Sequence, residues 1–291
     1  MMNEKVNHET TASQTTLAIG GKKISRELED EIFEKRLLRK LDCIEKLNNG
    51  RNKKNFFIVH PNHGMLYQYK ELAAALEKEF NVYGILARGL KPGGKMPEDP
   101  ERMAGDYLEQ ILKLQKSGTY FVAGFCGGNP VAYEIGRRLE KSGHKVGKIV
   151  LLDSHVFVTD LTWKYMRRVK LLPGFKKKKI IARNMEFFQQ EMRTGKYDLR
   201  DDDEGGFRKK KVEKYMDVLC RYVVSLDIVN APLLVPQAIK TPRPVATQER
   251  FDRITRSTAT LIKVPGTHDS MLEQPHVTIL AEVIINYPEK V

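Results

Sequence analysis

The chain has 291 residues, of which 41% are hydrophobic and 30% are charged, and 50 Lys and Arg against 37 Asp and Glu give a net charge of +13. This length suits one large domain or two small ones, and the apolar fraction excludes a disordered chain. No apolar run approaches the roughly 20 residues of a membrane span, and the polar N-terminus lacks the apolar core of a secretory signal. Three widely spaced cysteines, Cys43, Cys126 and Cys220, form neither a disulfide framework nor a metal-binding spacing. We therefore expect a soluble, cytoplasmic protein.

The positive charge is concentrated in one segment. Between Lys164 and Lys214 there are 17 Lys and Arg against 8 Asp and Glu, so this stretch carries most of the net charge. A local excess of this kind favours an acidic partner, which is nucleic acid, an anionic membrane or an acidic protein. The alternative is a solvated basic face with no partner.

The N-terminal part of the chain differs from the rest. Residues 1–22 are polar and predict a disordered tail, and residues 24–47 have apolar residues at helical spacing. Beyond residue 54, short apolar runs alternate with amphipathic helices. The predicted strands cover residues 55–61, 81–87, 119–125 and 148–154. The predicted helices between them cover residues 65–79, 100–117 and 130–143.

Strand–helix alternation at this spacing indicates βαβ units and a mostly parallel sheet with helices on both faces. Residues 158–230 interrupt the pattern with a basic, helix-prone segment. The alternation then returns with a strand at 242–248, a helix at 248–256, a strand at 260–266 and a helix at 270–286. We predict a tail and linker helix over residues 1–50, and one α/β domain over 51–291 with a helical insertion at about 158–230.

The sharpest motif is Gly-Phe-Cys-Gly-Gly at residues 124–128, between a strand and a helix. It is a G-x-C-x-G form of the nucleophile elbow, in which the nucleophile adopts a strained backbone conformation and flanking glycines avoid side-chain clashes. The following helix directs its N-terminal N–H groups at the site, which favours a thiolate and an oxyanion. The alternative is a glycine-rich turn with a buried cysteine.

Two further residues complete a catalytic pattern. Asp153 ends the strand after the elbow, and His268 follows the last predicted strand, so the chain order is nucleophile, acid, histidine, as in α/β-hydrolases. In such a set the histidine takes the proton of the nucleophile and the acid orients the imidazole.

Alternatives to both residues stay open at this point. Glu249 and Asp252 are the competing acids, because many α/β-hydrolases place the acid after the penultimate strand. His60 and His63 are the competing histidines, although they lie where an oxyanion hole is expected.

Several segments together resemble one family. They read FFIVHPNHG, YQYKELAAAL, VYGILARGL, YFVAGFCGGNPVAYEIGRRLEKSGHKVGKIVLLDS and VPGTHDSML. They are similar to the α/β-hydrolase thioesterases of nonribosomal peptide and polyketide synthases, over about residues 43–287 and most weakly over 158–240. The release type of this family carries its acid in an LLDS-like segment, as Asp153 does here.

The resemblance implies an α/β-hydrolase fold and a role for each motif residue. Cys126 would be the nucleophile, His268 the base and Asp153 its orienting acid. The oxyanion hole would be formed by the backbone N–H of Gly127 and that of Asn62 or His63. Residues 158–230 would be a helical lid over the acyl chain.

The resemblance also implies the partner. The acyl-thioester substrate would arrive on the phosphopantetheine arm of an acyl or peptidyl carrier protein or synthase, and no cofactor or metal would be bound. Carrier proteins are generally acidic, so the basic segment gains a specific partner. Nucleic acid is disfavoured, because no recognition motif accompanies the charge.

The candidate ligand-contacting residues lie in the insertion. Trp163, Phe187 and Phe188 are candidates for lining the acyl site, or are simple lid packing. The candidate carrier-docking residues, which are alternatively only solubilising, are Lys176, Lys177, Lys178, Lys179, Arg208, Lys209, Lys210 and Lys211.

The family usually has serine where this chain has Cys126. Because a thioester intermediate favours amines over water more than an ester does, we expect transfer to a nucleophile to be preferred over hydrolysis. Two alternatives remain. One is a cysteine hydrolase of small lactones or esters, since dienelactone hydrolases also carry G-x-C-x-G, and the other is a catalytically silent acyl-binding module. The acyl group, the acceptor and the oligomeric state are left open.

Overall fold

A computed structural model of the chain describes residues 18–19, 22–23, 26–61, 64–88, 99–154, 228–240 and 247–290. The chain divides into two compact units, residues 1–40 and residues 41–291. The second unit thus begins earlier than the boundary predicted at residue 51.

The first unit contains a short hairpin and a helix. Strand β1 (Ala18–Ile19) pairs antiparallel with β2 (Lys22–Lys23), and helix α1 covers Arg26–Leu38. Three of these paired residues, Ala18, Ile19 and Lys22, lie within the range for which the sequence predicts a disordered tail.

In the described part of the second unit the strands form one seven-stranded sheet, in the order β3-β5-β4-β6-β7-β8-β9. Strand β3 is antiparallel to β5, and all other neighbours are parallel. The strands are β3 (Ile44–Lys46), β4 (Asn55–Val59), β5 (Asn81–Ile85), β6 (Thr119–Phe125), β7 (Lys145–Leu152), β8 (Leu233–Ala238) and β9 (Ala259–Val264). This mostly parallel sheet confirms the predicted α/β-hydrolase fold.

Helices lie on both faces of the sheet. The α-helices are α2 (Lys70–Ala75), α3 (Pro100–Leu114), α4 (Gly128–Lys141), α5 (Gln248–Asp252) and α6 (His276–Asn286). Short 3₁₀ turns at Tyr67–Tyr69 and Ser270–Leu272 precede α2 and α6. Helix α3 packs on α4, and α2 packs on α6. Strands covered on both faces read as continuous apolar runs, which explains why the sequence pattern identified them.

The helix predicted over residues 24–47 is wrong beyond Leu38, where α1 ends. The chain instead forms β3 at the sheet edge, where Ile44 pairs with Ile85. Cys43 and Ile44 are both buried, so the apolar residues that continued the helical spacing serve the core of the second unit.

The sequence also missed β8. Its run LLVPQA is buried along its whole length, but Pro236 interrupts the run and a proline argues against a central strand. Of the strand predicted at 242–248, residues 242–246 lie outside the described residues, and Gln248 already begins α5.

Most of the predicted insertion is not described, because residues 155–227 lie outside the described ranges. The predictions for Trp163, Phe187, Phe188 and the two basic runs fall there. In the next described range, Val229 forms an isolated parallel bridge with Thr255, outside the strands of the sheet. None of the helices in the described ranges is long and apolar enough to cross a bilayer.

Candidate active site

The elbow motif forms the tight strand-to-helix turn that the sequence predicts. Strand β6 ends at Phe125 and α4 begins at Gly128. Between them the partly exposed Cys126 has a φ of +54°. A left-handed conformation at a non-glycine residue costs on the order of 1–3 kcal/mol and persists where the surroundings enforce it. The expected strain at Cys126 is confirmed.

The glycines of the elbow are required by close backbone approach. A Cβ atom on Gly124 would lie 2.4 Å from the carbonyl oxygen of Gly128. A Cβ atom on Gly128 would lie 2.5 Å from the carbonyl oxygen of His60 and 2.8 Å from that of Val59. The glycines thus let α4 start directly against the ends of β6 and β4.

The acid and the histidine meet as a buried pair. Asp153 follows β7 with a φ of +44°, and its Oδ2 lies 2.5 Å from Nδ1 of His268. Asp153 is 1% exposed and His268 is 3% exposed. Because the carboxylate accepts from Nδ1–H, the lone pair of the neutral imidazole is at Nε2. This is the tautomer that a general base needs.

Neighbouring groups hold this pair in place. The backbone N–H of Ala238 donates to Oδ1 of Asp153 at 3.1 Å, and the N–H of Asp153 donates to the carbonyl of Pro236 at 2.7 Å. The ring of Phe125 stacks on His268 with centroids 4.4 Å apart. The sequence singled out none of these supports. For Phe125 the available signal was its place beside Cys126 in the elbow.

Sheet register places the elbow and the acid at one edge. Phe125 is paired with Leu152 across the parallel strands β6 and β7, and Cys126 and Asp153 are the next residues on each strand. Phe125 in turn contacts His268. Cys126, Asp153 and His268 therefore all lie at the carboxyl edge of the sheet.

The alternative acids are placed elsewhere. Glu249 is on α5 with 72% of its side chain exposed, and it pairs with Arg253 of the same helix turn. Asp252 accepts from the side chain of Gln248. The carboxylate that contacts His268 in the structure is that of Asp153, and not that of Glu249 or Asp252.

His60 has a different role from a base. It is fully buried, with Nδ1 2.7 Å from the carbonyl oxygen of Pro61 and Nε2 2.7 Å from the hydroxyl of Tyr107. The carbonyl requires Nδ1–H as donor, so Nε2 of the neutral ring accepts from Tyr107. His60 thus anchors the start of the loop after β4. Asn62 and His63, the predicted oxyanion residues of this loop, lie outside the described residues.

Tyr69 lies close enough to Cys126 to be influenced by its charge. Its ring is buried, and its hydroxyl donates to the carbonyl of Val59 at 2.7 Å. Burial, and then the charge of a Cys126 thiolate, raise the pKa of Tyr69 well above its ordinary value. Tyr69 is therefore a neutral donor at physiological pH. Gly127, the remaining predicted oxyanion residue, caps α4 with a φ of −66°.

Comparison with protein families gives a match over residues 54–194 to the thioesterase domain. A probable non-canonical nonribosomal peptide synthetase, CymA of Salinispora arenicola (strain CNS-205), is 34% identical over 116 residues, 40% of this chain and 2% of the synthetase. In Bacillus subtilis (strain 168), a dimodular nonribosomal peptide synthase is 30% identical over 40% of this chain and 5% of its own length. The polyketide synthase PksR of the same organism is 31% identical over 45% of this chain and 5% of its own. The chain thus spans a small fraction of these relatives.

Solved structures share the fold. A four-domain nonribosomal peptide synthetase bound to AMP and glycine matches 86% of this chain and 21% of its own, with a TM-score of 0.62 and 20% identity. The Vlm2 thioesterase domain bound with a dodecadepsipeptide matches 85% of this chain and 98% of its own, with a TM-score of 0.61 and 18% identity. The thioesterase domain that cyclises the lipopeptide surfactin matches 84% and 94%, with a TM-score of 0.53 and 18% identity. The chain is thus similar in sequence to a thioesterase domain over residues 54–194, and the solved structures share its fold.

Proposed function

We propose that this protein is a thioesterase with acyltransferase character. It takes an acyl or peptidyl group from the phosphopantetheine thioester of a carrier protein onto Cys126 and releases the group to a nucleophile. The observation that carries the proposal is the buried Asp153–His268 pair at the same sheet edge as a cysteine in a strained elbow. A binding module has no need for all three residues in this arrangement.

In the first half-reaction, Nε2 of His268 takes the thiol proton of Cys126. The thiolate attacks the thioester carbonyl, the bond from carbon to the carrier sulfur breaks, and the imidazolium returns the proton to that sulfur. Asp153 stabilises the imidazolium through Nδ1–H. The backbone N–H groups of Gly127 and of Asn62 or His63 would stabilise the oxyanion.

In the second half-reaction, an amine, a hydroxyl or water attacks the acyl-Cys126 carbonyl. His268 takes the proton of the attacking group and returns it to the Cys126 sulfur as the carbon–sulfur bond breaks. Exchange of one thioester for another is close to energetically neutral. The acyl-cysteine also discriminates in favour of amines over water more than an acyl-serine does. The expected products are an amide, a macrocycle or a strained ring in preference to the free acid.

A carrier domain is the partner that this reaction requires. The curated relatives are synthases and synthetases, and the matched region forms a small part of each. The basic segment between residues 164 and 214 complements an acidic carrier in charge.

The test is intact-protein mass spectrometry after incubation with an acyl-N-acetylcysteamine thioester. Wild type is expected to gain one acyl group that peptide mapping places on Cys126, and Cys126→Ala is expected to gain none. Cys43→Ala is the matched control, because Cys43 is a fully buried thiol next to β3. This variant is expected to gain the acyl group on Cys126 as wild type does. Folded wild type that gains no adduct from several acyl thioesters or acyl-loaded carriers would identify a silent binding module instead.

The transfer preference has its own measurement. Product ratios are determined with increasing concentrations of an amine acceptor. A rising amide fraction supports the proposal, and free acid alone at every concentration contradicts it.

A further inference from the structure

Asn129 is a buried polar residue beside the elbow that no step of the proposed reaction uses. It is the second residue of α4 and is 1% exposed. Its side-chain Nδ2 donates to the carbonyl oxygen of Leu152, the last residue of β7, at 3.0 Å. The side chain therefore links the elbow helix to the neighbouring strand.

The same carbonyl oxygen also accepts a hydrogen bond from the backbone of the elbow. The backbone N–H of Cys126 donates to it at 3.4 Å, and the N–H of Asn129 donates to the carbonyl of Cys126 at 3.2 Å. The carbonyl oxygen of Leu152 thus accepts from both the backbone of Cys126 and the side-chain amide of Asn129. We name these three hydrogen bonds the Leu152 clamp.

The clamp lies between two strained residues. Cys126 and Asp153 are the non-glycine residues with positive φ in the parts of the chain that are described. Leu152 immediately precedes Asp153, whose carboxylate holds His268. Any change in the distance between Asn129 and Leu152 would therefore shift the elbow relative to the acid and the histidine.

The contacts of the described residues give no stability reason for an asparagine here. Among the described residues, Oδ1 of Asn129 has no hydrogen-bond partner although it is buried. A buried acceptor without a donor opposes folding, and an apolar side chain of the same shape would avoid this cost. What an apolar side chain would lack is the donor to Leu152.

We propose that Asn129 is a positioning residue, whose amide holds the Cys126 elbow in register with the Asp153 turn so that the thiol meets His268. The inference rests on the proposed role of Cys126 as nucleophile. The clamp adds no group to the reaction. It acts by fixing the geometry of the two backbone turns that carry the nucleophile and the acid.

The test compares Asn129→Leu, which keeps the approximate volume and removes the donor, with Asn129→Gln, which keeps a donor. The first readout is the acylation rate at saturating acyl-N-acetylcysteamine thioester. The second is the pH midpoint of Cys126 alkylation by iodoacetamide, followed by peptide mapping. Asn81→Leu is the matched control, because Asn81 is also buried and hydrogen-bonded through its amide, but at the opposite end of the sheet.

For Asn129→Leu we expect acylation to slow by about 10- to 100-fold, since misplacement of reacting groups by about 1 Å has effects of this size. The half-saturating thioester concentration is expected to stay within about threefold, because the clamp does not contact substrate. The alkylation midpoint should move towards the value of an isolated thiol, about 8.5. Asn129→Gln should recover part of both effects, and Asn81→Leu should change neither.

The outcomes separate the two proposals. A wild-type acylation rate and an unchanged alkylation midpoint in Asn129→Leu would overturn the positioning role. So would reductions of the acylation rate in both Asn81→Leu and Asn129→Leu that are proportional to the decrease in their melting temperatures. Failure of the wild type to acylate would overturn the proposed function. In that case the alkylation midpoint alone still decides whether the clamp positions the thiol.

Discussion

The substitution Gly128→Ala tests whether the elbow needs the close approach of α4 to β4. The added Cβ would lie 2.5 Å from the carbonyl oxygen of His60 and 2.8 Å from that of Val59. Both are backbone atoms at the carboxyl end of β4, so no side chain can rotate away. The start of α4, and Cys126 with it, must move instead.

The size of the effect follows from these distances. Carbon–oxygen contacts in proteins settle near 3.3–3.6 Å, so the helix start must shift by about 1 Å. Forcing extra atoms into a packed site costs about 1–3 kcal/mol. Alanine recovers at most about 1 kcal/mol through its helix propensity. We expect a net loss of about 1–2 kcal/mol in unfolding free energy, and an approximately 10²-fold slower acylation from the displaced thiol.

Gly105→Ala provides the matched control. Gly105 is also a helical glycine, on α3, and its Cβ would lie 2.8 Å from Nη1 of Arg138. That atom is the end of a flexible side chain, whose Nε hydrogen bond to Glu134 need not break. The control should be unchanged in stability, or more stable by up to about 1 kcal/mol, with wild-type acylation.

The assays are urea denaturation and the rate of acyl-adduct formation at saturating thioester. If Gly128→Ala acylates at the wild-type rate, the elbow tolerates displacement from β4 and the reasoning is refuted. If Gly105→Ala slows acylation equally, the slower rate comes from replacing any glycine in these helices and not from displacement of the elbow.

Three further predictions concern buried polar groups. Asp153→Asn should lower the acylation rate by about 10³- to 10⁴-fold with little loss of binding, because an amide no longer holds the Nδ1–H tautomer of His268, and single-turnover kinetics measures this. Tyr107→Phe should reduce the unfolding free energy by about 1–3 kcal/mol in denaturant titrations, since it leaves Nε2 of buried His60 without its donor. Burial lowers the pKa of Lys148 on β7 to about 8, and its Nζ donates to the carbonyls of Ile284 and Tyr287. As the pH rises, the folded state therefore loses this proton before the unfolded state does. From pH 7 to pH 9 the unfolding free energy of wild type should rise by about 1 kcal/mol relative to that of Lys148→Met, as measured by urea titration. Equal pH dependence of the two proteins would contradict this prediction.

The elements that were predicted correctly share a local cause. Strands β4, β6 and β7 are covered on both faces, so each contains a continuous apolar run, FFIV, YFVA and IVLL respectively. Helix α3 begins at Pro100, and Asp99 accepts from the N–H of Arg102, which is a capping signal within four residues of sequence. No distant contact is needed to recognise these features.

The elements that were missed depend on distant neighbours. The apolar residues near Ile44 continue the spacing of α1, and only pairing with Ile85 makes them a strand. The run of β8 contains Pro236, and it is a strand because it lies between β7 and β9. Tertiary context overrides local pattern at both positions.

The elbow can be identified from residues 124–128 alone, since the glycines around Cys126 meet a local steric requirement. Which acid meets His268 depends on the fold, because Asp153 is 115 residues away in the chain and is brought there by its place after the strand beside the elbow. The same holds for His60, which could be excluded as a base only when Tyr107 was seen to occupy its second nitrogen. Steric rules act between neighbours in the chain, whereas hydrogen-bond partners follow from which strands become adjacent and in what register.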